Sequence, residues 1–283
     1  MTIELVRELL DDQRPDLADL PLSPFAHGWD NETFALGDRL LVRVPRRLAS
    51  VELLTHEQRW LSTVARNLRV RVPVPVFVGR PAPSFAYPWS IVPRLNGTVL
   101  AKIPLRQRGP AVEGLAEVMT VLHRPAPDDA PSNPFRGVPL AQRQQVVHAR
   151  LVEHPEWGAG LVERWLEWSS APPYPGRPVW LHGDPHPLNL LVDGAGRLSA
   201  VLDWGDLTAG DPASDLASGW LAFAADDRQR FLHRCGINGS YDPAVFTRAK
   251  AWTLALASAF AASDDPALAP IARHALAELT ASG

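Results

Sequence analysis

One cysteine, Cys235, occurs in 283 residues. A single thiol cannot build an intrachain disulfide framework and fits a reducing compartment, where its expected role is a small, partly buried side chain. Lysine is nearly as scarce: Lys102 and Lys250 are the two present, so almost all positive charge is arginine. The formal net charge of −3 gives no reason to expect a nucleic-acid or anionic-membrane partner. No apolar run approaches transmembrane length, and the N-terminus lacks a basic region followed by an apolar one, so a cytoplasmic location is the expectation. There is no repeat of solenoid period and no full G-x-G-x-x-G. Proline, by contrast, is abundant at 28, concentrated in connecting segments such as Pro125–Pro139 and Ala171–Pro178. Apolar residues make up 46%, ordinary for a globular protein, and the length suffices for two lobes and a substantial core.

The chain organises itself around Trp180–Ala217. Two short apolar runs, Val179–Leu181 and Leu190–Val192, bracket the polar loop His182–Asn189. A Gly194–Gly196 turn and a third run, Leu198–Leu202, follow, ending in Asp203. Short strands joined by tight turns place Asp184, Asn189 and Asp203 on neighbouring loop ends. Two carboxylates and an amide are hard oxygen groups, suited to Mg²⁺ and to an activated hydroxyl. Phosphoryl transfer needs that set: one Asp to orient or deprotonate the hydroxyl, an Asn and a second Asp for the metal. Each residue alone also reads as a turn former or helix cap. His182 is expected to orient the loop, His186 to be a polar loop residue, and Asp211 and Asp215 to tie the loop and cap a helix near Pro212.

His-Gly-Asp-x-x-x-x-Asn, an apolar strand, Asp-Trp, and then Gly-Asp-Pro-x-x-Asp-Leu-Ala resemble the catalytic and metal loops of the aminoglycoside phosphotransferase family, small-molecule relatives of protein kinases. The resemblance implies Asp184 as catalytic residue and Asn189 and Asp203 as Mg²⁺ ligands.

In the first third, Thr2 caps a helix with Ile3, Val6 and Leu10 on its apolar face. Phe25–Leu36 reads as strand, loop, strand, Gly37-Asp38 as a hairpin turn, and Leu40–Val44 as a third strand. The loop around Gly28 and Asn31 either covers nucleotide phosphates with backbone N–H groups or is a plain hairpin. Its Gly-Trp-Asp-Asn is similar to a loop of macrolide and some aminoglycoside phosphotransferases. Arg43 stands where kinase-like sites carry a strand lysine against the α/β phosphates. Arginine can grip phosphate bidentately, and the alternative is a solvated strand arginine. Ser50 is expected to start a helix with Val51, Leu54, Leu61 and Val64 on one face. By resemblance its Glu57 pairs with Arg43; without it, a mid-helix Glu reads as solvated.

Trp89–Val92 reads as a buried strand leading to 93–97. The resemblance makes this an inter-lobe hinge, with the Pro93 carbonyl and Leu95 N–H on the purine edge and Val92 behind the base. Beyond it, Leu115, Val118, Met119 and Leu122 mark a core helix. Helical segments follow at Leu140–Val152, Leu161–Ser169, Leu216–Phe223, Arg228–Arg234, Asp242–Ala262 and from Pro266. Trp157, Trp165 and Trp168 read as core or as a stacking platform. Glu153, Glu156, Glu163 and Glu167 read as a solvated face or as attraction for a polycationic acceptor.

The expectation is an α+β, bilobal protein-kinase-like fold: a small N-terminal β-sheet lobe (1–92), a hinge (93–97) and a larger, mainly helical C-terminal lobe (98–283). The implied activity moves the γ-phosphoryl group of ATP or GTP to a hydroxyl of a small molecule, as antibiotic-resistance kinases do. Mg²⁺ is the expected cofactor; no acceptor-binding residue and no oligomeric state can be read. Two other readings stay open. One is a catalytically silent nucleotide-binding protein. The other is a metallohydrolase built on His182, Asp184 and His186.

Overall fold

The computed structural model describes residues 1–236 and 241–281, in two compact units. The first comprises 1–67, 71–96 and 203–207; the second comprises 68–70, 97–202 and 208–283.

The first unit opens with helix α1 (Ile3–Gln13), whose first turn is capped by Thr2 Oγ1 accepting from the Leu5 N–H at 3.3 Å. Strands β1 (Leu22–His27), β2 (Asn31–Leu36) and β3 (Leu40–Pro45) form antiparallel hairpins, with helix α2 (Leu48–Ala65) next. Strands β4 (Phe77–Gly79) and β5 (Trp89–Pro93) complete a sheet of order β1-β2-β3-β5-β4. Val6, Leu9 and Leu10 of α1 pack with Leu36, Val42 and Ile91 in one core. Helix α2 begins at Leu48, two residues before the expected Ser50 start, and its N-cap Arg47 makes no side-chain capping bond. Ser50 Oγ instead donates to Asp30 Oδ1 at 2.8 Å. The hydroxyl meets a better acceptor, a carboxylate, across the turn than along the helix.

The second unit begins with strand β6 (Thr98–Val99), followed by α3 (Val112–Leu122), α4 (Gln144–Glu153) and α5 (Leu161–Ser169). Four short strands come next: β7 (Val179–Leu181), β8 (Leu190–Val192), β9 (Leu198–Val201) and β10 (Thr208–Gly210). β8 lies between β6 and β9, while β10 pairs with β7, all antiparallel. Helices α6 (Ala213–Leu216), α7 (Ser218–Ala222), α8 (Ala225–Gly236), α9 (Val245–Ala261) and α10 (Ala269–Ala281) close the chain. The expected helix 216–223 is thus part of two short ones. Trp165 and Trp168 are core residues, while Trp157 stacks on His154 with ring centroids 4.2 Å apart. No helix among the described residues is long and apolar enough to cross a membrane.

These connections put two loops to use. His182–Asn189 spans the β7–β8 turn, and Leu202–Leu207 joins β9 to β10. Gly210 on β10 has little freedom to be anything else: a Cβ there would lie 2.4 Å from the Gly137 carbonyl oxygen. That close approach seats the proline-rich connector ahead of α4 against β10.

Candidate active site

In the sheet unit, the register sets Arg43 opposite Thr33 on one side and Ser90 on the other, in the middle of the sheet. A strand flanked on both sides holds its side chains in a fixed direction. Arg43 Nη1 lies 2.6 and 2.8 Å from the two carboxylate oxygens of Glu57, both residues being buried. Asp203 Oδ1 stands 3.8 Å from Arg43 Nη2. Burial works against the Arg43 charge, but Glu57 and Asp203 outweigh it and raise the guanidinium pKa. The solvated readings of Arg43 and Glu57 therefore fall away.

The loop before β2 is a locked hairpin. The Gly28 N–H donates to the Asn31 carbonyl at 3.0 Å, so that amide closes the turn. Arg46 Nη1 donates to the Gly28 carbonyl, and Arg47 Nη2 to Asp30 Oδ1 at 3.1 Å. Asn31 Oδ1 is buried with no hydrogen-bond partner among the described residues. At the end of β5, Val92 is buried and Pro93 sits opposite Leu40. The Arg94 N–H donates to the Arg39 carbonyl at 2.8 Å, which fixes the strand end before half-buried Leu95.

The helical unit holds the other group. Asp215, fully buried on α6, accepts from the His182 N–H at 2.8 Å and the Gly183 N–H at 2.9 Å. Gly183 has φ +90°, a left-handed turn that only glycine makes cheaply. The His182 imidazole is used at both nitrogens: Nδ1 accepts from the Asp184 N–H at 3.2 Å, and Nε2 donates to the Leu202 carbonyl at 2.8 Å. The Leu202 N–H in turn donates to the Asn189 carbonyl at 2.8 Å. The β9 strand end, one residue before Asp203, is thereby tied to the His182–Asn189 loop. Asp203 itself has φ 53°, the one non-glycine left-handed residue among those described.

Asp184 Oδ1 accepts from Arg136 Nη2 at 3.2 Å, and Asp184 Oδ2 lies 3.1 Å from His186 Nε2. Burial alone would push its carboxyl up, yet His186 and Arg136 outweigh burial and hold it well below the usual carboxylate range. Asn189 Nδ2 donates to the Asp184 carbonyl at 3.0 Å, leaving Oδ1 as the amide's group for a cation. His186 is thus a direct partner of Asp184 rather than merely a polar loop residue. Its ring also meets Phe260 edge-on, centroids 5.2 Å apart.

Asp211 Oδ1 caps α6 by accepting from the Ala213 N–H at 3.0 Å, and Arg248 holds the same carboxylate at 2.6 Å. Arg136 had no sequence signal: it lies in the connector without periodicity, and its place depends on the Gly137–Gly210 contact. With both His182 nitrogens engaged by backbone, the His182–Asp184–His186 metallohydrolase arrangement has lost a ligand. Among the described residues no group of three or more His, Cys, Asp or Glu is placed to hold a metal.

Comparison with solved structures gives the fold. The GDP complex of aminoglycoside 2'-phosphotransferase-IIIa superposes with a TM-score of 0.74 at 16% identity, covering 99% of both chains. The apoenzyme of macrolide 2'-phosphotransferase MphH from Brachybacterium faecium gives 0.65 at 22% identity, covering 97% of each. The architecture is accordingly the α+β, protein-kinase-like one expected. Among curated proteins, the uncharacterized protein YcbJ of Bacillus subtilis (strain 168) is 28% identical over 213 residues, 68% of this chain and 66% of its own length. The match therefore spans just under two thirds of that relative. A family model described as phosphotransferase enzyme family matches residues 21–252. The ion pair on β3, the braced His182–Asn189 loop and the Asp211–Asp215 segment all lie inside that match, and the chain belongs to this phosphotransferase family.

Proposed function

We propose that the chain transfers the γ-phosphoryl group of ATP or GTP to a hydroxyl of a small molecule. The observation that carries the proposal is the state of Asp184: a carboxylate kept ionised by Arg136 and His186 at the head of a loop pinned by Asp215. A carboxylate so far below neutrality is a weak base. Its work is to orient the attacking hydroxyl and to take its proton late, as the loose transition state of phosphoryl transfer allows. The acceptor oxygen forms its bond to the γ-phosphorus as the bond to the β-bridging oxygen breaks. The hydroxyl proton goes to Asp184, and the nucleoside diphosphate leaves.

Asn189 and Asp203 are the proposed Mg²⁺ ligands. The fit rests on donor chemistry: the amide nitrogen of Asn189 is taken by the Asp184 carbonyl, and Asp203 presents a carboxylate whose side chain is 61% exposed. Bound Mg²⁺ would neutralise charge on the β- and γ-phosphates. Arg43, oriented by Glu57, is the proposed grip on the α/β phosphates. Gly28 and Asn31 are assigned to the phosphate side, and Val92, Pro93 and Leu95 to the purine, with 93–97 as hinge between lobes 1–92 and 98–283. Aminoglycoside and macrolide phosphotransferases among the structural neighbours make such antibiotics the first acceptors to try.

A coupled nucleotide-consumption assay across aminoglycosides, macrolides and sugars, run with ATP and with GTP, tests the reading. Acceptor-dependent turnover is expected with one nucleotide preferred. Asp184→Asn should abolish it with little loss of nucleotide affinity, and full activity in that variant would refute the assignment.

A further inference from the structure

Arg136, Arg143 and Arg150 are three guanidinium groups in the helical unit, of which phosphoryl transfer uses only the first. Arg143 ends the 3₁₀ turn that leads into α4, and Arg150 follows seven residues later, two helical turns on and on the same face. Both are half-buried. The Arg143 pKa is lowered by burial first, then by the positive charges of Arg136 and Arg150. Burial lowers that of Arg150 as well. No carboxylate enters either balance. Other buried or half-buried arginines are answered: Arg228 meets Glu278, Arg248 meets Asp211 and Asp242, and Arg7, Arg108 and Arg164 donate to backbone carbonyls.

Nε of Arg143 and Nη1 of Arg150 are buried without a hydrogen-bond partner among the described residues. The Arg143 guanidinium is also held over the Phe135 ring, 5.5 Å from its centroid. Mutually repelling cations partly withdrawn from water cost free energy unless an anion joins them. The planar guanidinium fork matches carboxylate and phosphate oxygens. The acids of the same stretch of chain, Glu153, Glu156, Glu163 and Glu167, are exposed.

We infer that Arg143 and Arg150, with Arg136, form an anion-binding subsite beside Asp184, and that the acceptor alcohol carries a carboxylate or phosphate that docks there. The inference rests on the reading of Asp184 as the residue that receives the acceptor hydroxyl. It turns the expected preference around. A polycationic acceptor would add like charge to Arg143 and Arg150, whereas an anionic one supplies the charge they lack.

Two measurements test it. The first is calorimetric titration of inorganic phosphate and of acetate into the full chain, the parent compared with Arg143→Gln/Arg150→Gln and with Arg143→Lys/Arg150→Lys. Weak binding in the parent, reduced at least ~10-fold in the Gln pair and partly restored in the Lys pair, is expected, since ~1.4 kcal/mol per tenfold is within one charge-assisted bond. Circular-dichroism melting establishes that each variant is folded. Equal binding by parent and Gln pair, or none by the parent, overturns the inference, and the acetate and phosphate arms tell which oxyanion is preferred. The second is the acceptor panel extended to hydroxy acids and sugar phosphates. Lower KM for these than for matched neutral alcohols is expected, with the difference lost in the Gln pair. Robust turnover that favours cationic or neutral acceptors overturns the anion subsite while leaving phosphotransfer intact. Absence of any turnover counts against phosphotransfer, and the titration then still decides the subsite.

Discussion

Arg43 and Glu57 meet two-on-one, a single guanidinium nitrogen 2.6 and 2.8 Å from both carboxylate oxygens, and Glu57 has no solvent exposure at all. A pair so placed is costly to break, because the survivor is left as a charge out of water. Glu57→Gln should destabilise the fold by about 3–5 kcal/mol, the range for removing one member of a buried pair. The urea midpoint measures this. Nucleotide KM should also rise ~10-fold, ~1.4 kcal/mol, because Arg43 loses its orienting partner. A Gln variant with the parental midpoint would mean that the pair contributes nothing.

Asp215 answers two backbone donors at once, the His182 and Gly183 N–H groups, from a fully buried position. Its Oδ2 also lies 3.4 Å from His123 Nε2, and His123 Nδ1 is 2.7 Å from the Tyr241 hydroxyl. Asp215→Ala orphans the two amides, each at ~1–3 kcal/mol. The loop that carries Asp184 and Asn189 loosens with them. kcat should fall by at least ~100-fold, the scale of a ~1 Å misplacement of a catalytic group, while nucleotide affinity changes little. Steady-state kinetics on folded protein separates the two parameters; parental kcat would show that the brace is not needed.

Legibility in the sequence followed the range of the interactions involved. β7, β8 and β9 and the loops between them were readable because turn chemistry and apolar runs are local, and Asp184, Asn189 and Asp203 came with them. Asp211 as helix cap and Asp215 as loop tie were readable for the same reason. The start of α2 was not: Ser50 has the composition of a cap, but Asp30, twenty residues earlier, takes its hydroxyl. Arg136 was invisible because its contact with Asp184 spans 48 residues and depends on how an aperiodic connector is seated against β10. The partnership of His186 with Asp184 has no local signature, since the carboxylate meets the imidazole only in the folded loop. β6 and β10, of two and three residues, carry too little pattern to stand out.

Cys235 is 1% exposed on α8, and burial pushes its thiol from 9.0 up to about 12. A group whose folded pKa is raised stabilises the fold fully below the unfolded pKa and loses that contribution as pH climbs toward the folded one. The unfolded chain ionises first, so stability falls with pH from about 9. The stability gap between parent and Cys235→Ala should therefore narrow between pH 8 and 10 (roughly 1.4 kcal/mol per pH unit at most), as read from urea midpoints at each pH. Thiol titration with a disulfide reagent should be slow in the native protein and complete within minutes in denaturant. Rapid native labelling would contradict the burial.

Arg136 reaches Asp184 Oδ1 at 3.2 Å, and with His186 it overrides a burial that by itself would raise the carboxyl. Arg136→Ala removes one of the side chains that lower the Asp184 pKa, and desolvation then counts for more. The Asp184 pKa moves upward, so protonation sets in at higher pH. Only the ionised carboxylate can accept the hydroxyl proton, and the acidic limb of kcat/KM against pH should shift to higher pH in the variant. Arg136→Lys keeps a positive charge without the fork and should place the limb between the two. Well above the pKa the carboxylate is ionised in every variant, and the loss in kcat should be smallest there. A purely structural role for Arg136 predicts a uniform loss at all pH values. The ratio of parent to variant kcat/KM, measured from neutral pH down to the lowest pH at which both proteins stay folded, decides between them, because a titrating cause makes that ratio fall as pH rises, whereas misfolding leaves it flat.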